Sequence, residues 1–179
     1  MITCVDTPNP ESKKFIFDFE IVKSGTKEIK LITDCKGIKF AERLFKEINP
    51  ELIYIDTNFI TIKKNTLKDW DEIKEDILEI LTEEIGLNFE PLVFEKSMGF
   101  KDEISKRIEE VLNEKIRPAV AMDGGDIQLK SYKDGVVEVM LKGSCAGCPS
   151  STVTLKQGVE RMLKHYVPEV NSVTAVNLE

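Results

Sequence analysis

Two β-rich runs, Ile127 to Tyr132 and Val136 to Leu141, are separated by little more than Asp134-Gly135. A gap that short leaves no room for a crossover, so the runs are predicted to pair antiparallel as a hairpin. The next segment, Gly143-Ser144-Cys145-Ala146-Gly147-Cys148-Pro149-Ser150-Ser151, leads straight into a helical pattern. Leu155, Val159, Met162, Leu163 and Tyr166 form its apolar stripe, predicting a helix over 151–166. Ahead of the hairpin, Ile104, Ile108, Val111, Leu112 and Ile116 mark another helix, predicted over 100–116 and limited by Pro118. The glycine-rich step Met122-Asp-Gly-Gly-Asp126 reads as a turn. Val173 to Val176 reads as a last short strand. This part of the chain is therefore expected to run helix, strand, strand, helix, strand.

The N-terminal half has its own pattern. Phe15, Phe17 and Phe19 alternate, which predicts a strand over 14–20 with one buried face, and a second strand is predicted over 27–33. Ala41, Leu44, Phe45 and Ile48 fall at helical spacing until Asn49-Pro50. Leu52–Ile55 and Phe59–Lys63 flank Asp56-Thr57-Asn58 as a hairpin. Trp70, Ile73, Ile77, Leu81 and Ile85 share one helical stripe, with acidic residues in the first turn and Gly86 at the end. No period survives from 87 to 99. The expected fold is α+β: two small domains at 1–88 and 100–179, joined by a linker at 89–99. Phe89, Leu92, Val93 and Phe94 are apolar for a linker and are expected to dock on one domain.

Charge and length exclude several functions. The chain carries 25 Lys+Arg against 32 Asp+Glu, a net charge of -7. Phosphate contacts need clustered cations, so nucleic acid is not an expected partner. No apolar run approaches the roughly 20 residues that span a bilayer, so neither is a membrane. The first residues lack both a basic, apolar leader and an Arg-rich transit pattern, which gives an expectation of a cytoplasmic protein. A single histidine, His165, removes most zinc-hydrolase and Ser-His-Asp readings.

Four cysteines remain: Cys4, Cys35, Cys145 and Cys148. In a reducing compartment, the close pair Cys145 and Cys148 reads as metal-binding or redox-active. The spacing lets both sulfurs address one metal centre, and a helix N-terminus favours thiolates. A zinc or iron–sulfur site takes four ligands, and one copy of the pair supplies two. Either Cys4 and Cys35 complete the set, or a second molecule related by two-fold symmetry does. A structural zinc and a thiol–disulfide couple are the alternatives for the same pair.

The motifs resemble a known family. Met122-Asp-Gly-Gly-Asp-Ile127, Leu141-Lys-Gly-Ser-Cys-Ala-Gly-Cys-Pro-Ser-Ser-Thr152 and Thr154-Leu-Lys156 resemble the C-terminal domain of NifU-like (Nfu) iron–sulfur cluster scaffold proteins, over about 104–176. Thr7-Pro-Asn-Pro10, Lys14-Phe15, Phe59-Ile-Thr-Ile62 and Trp70-Asp-Glu72 resemble the Nfu N-terminal domain, with insertions around 21–36. The resemblance implies a [4Fe–4S] cluster bridged between two subunits, with Cys145 and Cys148 as ligands and a homodimer when loaded. It implies delivery to recipient apo iron–sulfur proteins, contact with assembly factors, and no catalytic residues. Two cysteine pairs serve a [2Fe–2S] cluster equally well.

The remaining polar residues read as structural. His165 suits a helix C-terminus. Asp123 and Asp126 set a turn, and Gly124-Gly125 is too short for a phosphate loop. Cys4 and Cys35 are spectators, Trp70 is core, and Lys142 and Lys156 are solvated.

Overall fold

Short runs with a buried face dominate the first half, and they build one antiparallel sheet. In the computed structural model every residue is described except 66, 87, 96–98, 147, 148 and 177–179; at 149–152 and 154 only the backbone is. The chain divides into two units, Met1–Ser97 and Met98–Glu179, and each is α+β.

The first unit begins with β1 (Ile2–Asp6), β2 (Ser12–Phe17), β3 (Val22–Ser24) and β4 (Lys27–Ile29). Then come α1 (Lys39–Glu47), β5 (Leu52–Ile55), β6 (Phe59–Lys63), α2 (Trp70–Glu84) and β7 (Leu92–Val93). The sheet order is β1-β2-β6-β5-β4, with every neighbour antiparallel. Phe15 and Phe17 of β2 and the isoleucines of β5 and β6 face Phe40 and Leu44 of α1 and Ile73, Ile77 and Leu81 of α2. A capping box between Asp69 and Glu72 starts α2.

Two details differ from the expectation, and a third, the docking of the apolar stretch, agrees with it. β2 stops at Phe17, so Phe19 is 40% exposed and lies edge-on to Phe17. Trp70 is half-buried at the core's rim because its indole N–H needs a partner; it donates to the Pro10 carbonyl at 2.9 Å. The stretch without a period is docked: β7 pairs in parallel with β3, and Phe89, Leu92 and Phe94 lie on the core.

That docking depends on Gly25. Its φ is +74°, and a Cβ there would stand 2.6 Å from the Phe94 carbonyl oxygen. Gly25→Ala is expected to cost roughly 1–3 kcal/mol through strain and overpacking. It should also open cleavage at Glu90 and Glu95 by a glutamate-specific protease. Unchanged protease resistance would show that residues 89–94 hold without Gly25.

The second unit begins with α3 (Glu103–Val111), a π-helical turn (Leu112–Ile116) and α4 (Arg117–Met122). Next are β8 (Gly125–Lys133), β9 (Val136–Gly143), α5 (Pro149–Tyr166) and β10 (Ser172–Val176). The sheet order is β10-β9-β8, with β8 antiparallel and β10 parallel to β9. Asp134 and Gly135 both take positive φ, 50° and 81°, as a two-residue hairpin turn requires. Ile108, Leu112, Val137, Val159, Leu163 and Val173 meet in the core.

Pro118 does not end the first helix here. The π-helical turn places the Arg117 amide on the Leu112 carbonyl, and the chain continues helical through Pro118 to Met122. A proline clashes with an ordinary helical turn before it, and a wider turn relieves that clash. Among the described residues, no helix is long and apolar enough to cross a membrane.

Candidate metal centre at the cysteine turn

Strands β8 and β9 end together, with Gly125 opposite Gly143. Beyond that pair the chain turns through Gly143 (φ 64°) to Ala146, whose amide donates to the Gly143 carbonyl at 3.1 Å. This turn carries Cys145 ahead of α5. Gly124 (φ 75°) makes a second turn beside it. Ser144 joins the two: its amide donates to the Gly124 carbonyl at 3.1 Å, and its hydroxyl donates to the Asp123 carbonyl. The side chain of Ser144 is buried, so these bonds are shielded from water.

An ion pair between buried Asp126 and half-buried Arg117 fixes the base of the site. Asp126 Oδ1 accepts from the Ile127 amide at 2.8 Å and lies 3.2 Å from Arg117 Nε. Arg117 Nε also donates to the Ile127 carbonyl at 2.9 Å, and its Nη1 donates to Asn113 Oδ1. A buried carboxylate is tolerated only with such partners. The expectation that Asp126 sets a turn through its own backbone holds in part. The arginine that neutralises it was not foreseen, because Arg117 reaches it only through the π-helical turn.

Cys145 is 5% exposed and belongs to the core of the second unit. Its thiol lies against Gly125: a Cβ on that glycine would stand 2.6 Å from Cys145 Sγ. Cys148, the other expected ligand, lies outside the described residues. α5 opens at Pro149, two residues before the expected start at 151, and the side chains of Ser150 and Ser151 are outside the described set.

Cys4 and Cys35 are placed differently. Cys35 is fully buried in the first unit's core, and burial, aided by Glu42 and Asp34, pushes its thiol pKa up. Cys4 sits half-buried on β1, and burial raises its pKa as well. Thiolates are the metal-binding form, and both shifts keep these groups protonated at neutral pH. Among the described residues, no three His, Cys, Asp or Glu side chains cluster as a metal site. His165 stands in the last turn of α5, edge-on to Tyr166 at 4.8 Å.

Two cysteine thiolates three positions apart have the chemistry to share one metal centre, and of the two only Cys145 lies among the described residues. Gly125, Ser144 and Arg117 support the Cys145 turn and were missed as site residues. In the Gly124-Gly125 doublet Gly124 takes a left-handed φ and Gly125 instead allows the close approach of Cys145, a division that the local sequence does not announce.

Comparison with known proteins bears on both halves. Residues 108–174 match the family described as NifU-like domain, and residues 2–87 match scaffold protein Nfu/NifU N terminal. A Drosophila ananassae protein named NFU1 iron-sulfur cluster scaffold homolog, mitochondrial, is 37% identical across 96% of this chain and 62% of its own length. The Homo sapiens protein of that name is 36% identical across 96% of this chain and 70% of its own. The chain thus spans 62% of the first Drosophila relative. A NifU-like protein from Saccharomyces cerevisiae, solved in solution, is 29% identical with a TM-score of 0.45, over 51% of this chain and 83% of that one. The cytoplasmic expectation is corrected by these relatives, which are named mitochondrial. The expectation rested on the lack of a leader or transit pattern in the first residues, which is a poor guide to compartment because a folded body does not carry its own address.

Proposed function

The chain belongs to the NifU-like (Nfu) family of iron–sulfur cluster scaffold proteins, and on that premise we propose that it binds a cluster through Cys145 and Cys148 and hands it to recipient apo-proteins. It carries its cargo and does not turn over a small substrate. The cluster is [4Fe–4S], shared between two chains that each give one cysteine pair, so the loaded form is a homodimer. Within this reading, residues 100–179 hold the cluster, residues 89–99 link, and residues 1–88 meet assembly factors and recipients.

One observation carries the proposal: Cys145 sits on a turn at the sheet end that Ser144 clamps to Gly124 and Asp123, ahead of α5. The clamp fixes the turn's backbone, while a ligand set completed from outside one chain leaves the cargo accessible for transfer. Thiolates supply the soft donors that iron–sulfur clusters take.

Anaerobic reconstitution with iron and sulfide tests this, read by visible absorption, metal content and mass in solution. The expected product is a brown dimer with about four irons per two chains. About two irons per two chains would instead indicate [2Fe–2S]. A colourless chain holding zinc, or one that only cycles a disulfide, would overturn the proposal.

A further inference from the structure

We propose that Gly125 is a positioning residue for the Cys145 thiol, storing it inside the second unit until cargo is loaded. This rests on Cys145 being a cluster ligand, as argued above. Gly125 is not a turn glycine: Gly124 beside it takes the left-handed conformation, and Gly125 does not. What Gly125 provides is a missing side chain. A Cβ there would meet Cys145 Sγ at 2.6 Å, the Lys142 carbonyl oxygen at 2.9 Å and Cys145 Cβ at 3.2 Å. Real Cβ atoms do not come that close, so the sulfur occupies space that only glycine leaves open.

The niche is also rigid. Gly125 is paired with Gly143 in the β8–β9 ladder. Its neighbour Asp126 is pinned by the Ile127 amide and by Arg117. Ser144, next to Cys145, is tied to Gly124 and Asp123. The floor cannot retreat, so the sulfur is the part that moves. A thiol 5% exposed cannot share a metal with a ligand outside the unit while it stays there. Loading therefore draws Cys145 Sγ out of the niche, and Gly125 sets how tightly it is held. Storage protects a thiolate-forming residue from stray oxidants, which attack accessible thiols first.

The test is site-resolved alkylation of the reduced, cluster-free full chain with iodoacetamide, following the Cys145 peptide by mass spectrometry. Gly125→Ala is expected to speed Cys145 labelling about tenfold or more, the shift that overpacking puts on a local opening. Ile108→Ala weakens the same core from α3, and Ile108 is none of the residues that a Cβ on Gly125 would first meet; it should leave Cys145 labelling within about twofold of the unaltered chain while that opening stays local. A Gly125→Ala rate near the unaltered one overturns the proposal, and so does an Ile108→Ala rate as fast as Gly125→Ala. Should Gly125→Ala fail to fold, adding Cys145→Ala is expected to recover part of the loss, since the contact with the sulfur is then gone while that with the Lys142 carbonyl stays. A double variant that folds as poorly as the single would overturn the idea. An unaltered chain that takes up no cluster would defeat the carrier reading alone, because the labelling contrast needs no cluster.

Discussion

Cys145→Ala is expected to reduce cluster uptake to background while the chain stays folded. In the proposed site each chain offers two thiolates to a centre that needs four ligands, so the variant dimer would keep half of them. A cluster held by two ligands is left open to solvent and is lost during desalting. The folding cost is small by comparison. Removing one buried sulfur forfeits roughly 1 kcal/mol of contacts. The clamp around the turn stays, since its bonds come from Ser144, Gly124 and Ala146. Iron and sulfide content after reconstitution reads the loss, and circular dichroism reads the fold. Full cluster content in this variant would mean that Cys145 is not a ligand.

Leu163→Ala is expected to unsettle the second unit severely. Leu163 is fully buried on α5, in a core built with Ile108, Leu112, Val137, Val159 and Val173. Truncation loses the transfer energy of the removed carbons and leaves a void that rigid neighbours fill poorly. The cost is roughly 2–5 kcal/mol. In a unit of this size each kcal/mol lowers the melting temperature by about 4–8 °C, so a fall of at least about 8 °C should appear in a thermal scan. The strand network of the second unit should lose its slow amide exchange accordingly. A melt within about 2 °C of the unaltered chain would mean that this core is loosely packed at Leu163.

The elements legible in the sequence are those whose signal is local. Asp134-Gly135 announces its hairpin because both positions need positive φ. The stripe from Ile73 to Ile85 announces α2, since burial on one side and charge on the other leave little choice. Cys145 and Cys148 stand out by spacing alone. What was hidden depends on distant partners. β1 and β7 are short edge pieces whose pairing lies in the strand they meet, not in their own residues. Pro118 reads as a helix stop unless a wider turn precedes it, and Leu112–Ile116 gives no sign of that turn in its own sequence. Gly125 reads as part of a bend because the sulfur that fills its empty side lies in another loop. The compartment was missed for a different reason: it is not written in the packing at all.

The parallel pairing of β10 with β9 has a mechanical consequence. An 18-residue helix is about 27 Å long, and an 8-residue strand is about 26 Å. α5 thus returns the chain along the full length of β9 before β10 joins, beginning with Ser172 opposite Val136. At that far end, the Asn171 amide donates to the Gly135 carbonyl at 2.7 Å and anchors the return. The helix behaves as a strut between a fixed foot at Asn171 and the cysteine turn at its head. One residue added to or taken from the strut would move its head by about 1.5 Å relative to the sheet. The place of the first residues of α5 is therefore gauged at the opposite end of the second unit, by where β10 takes hold.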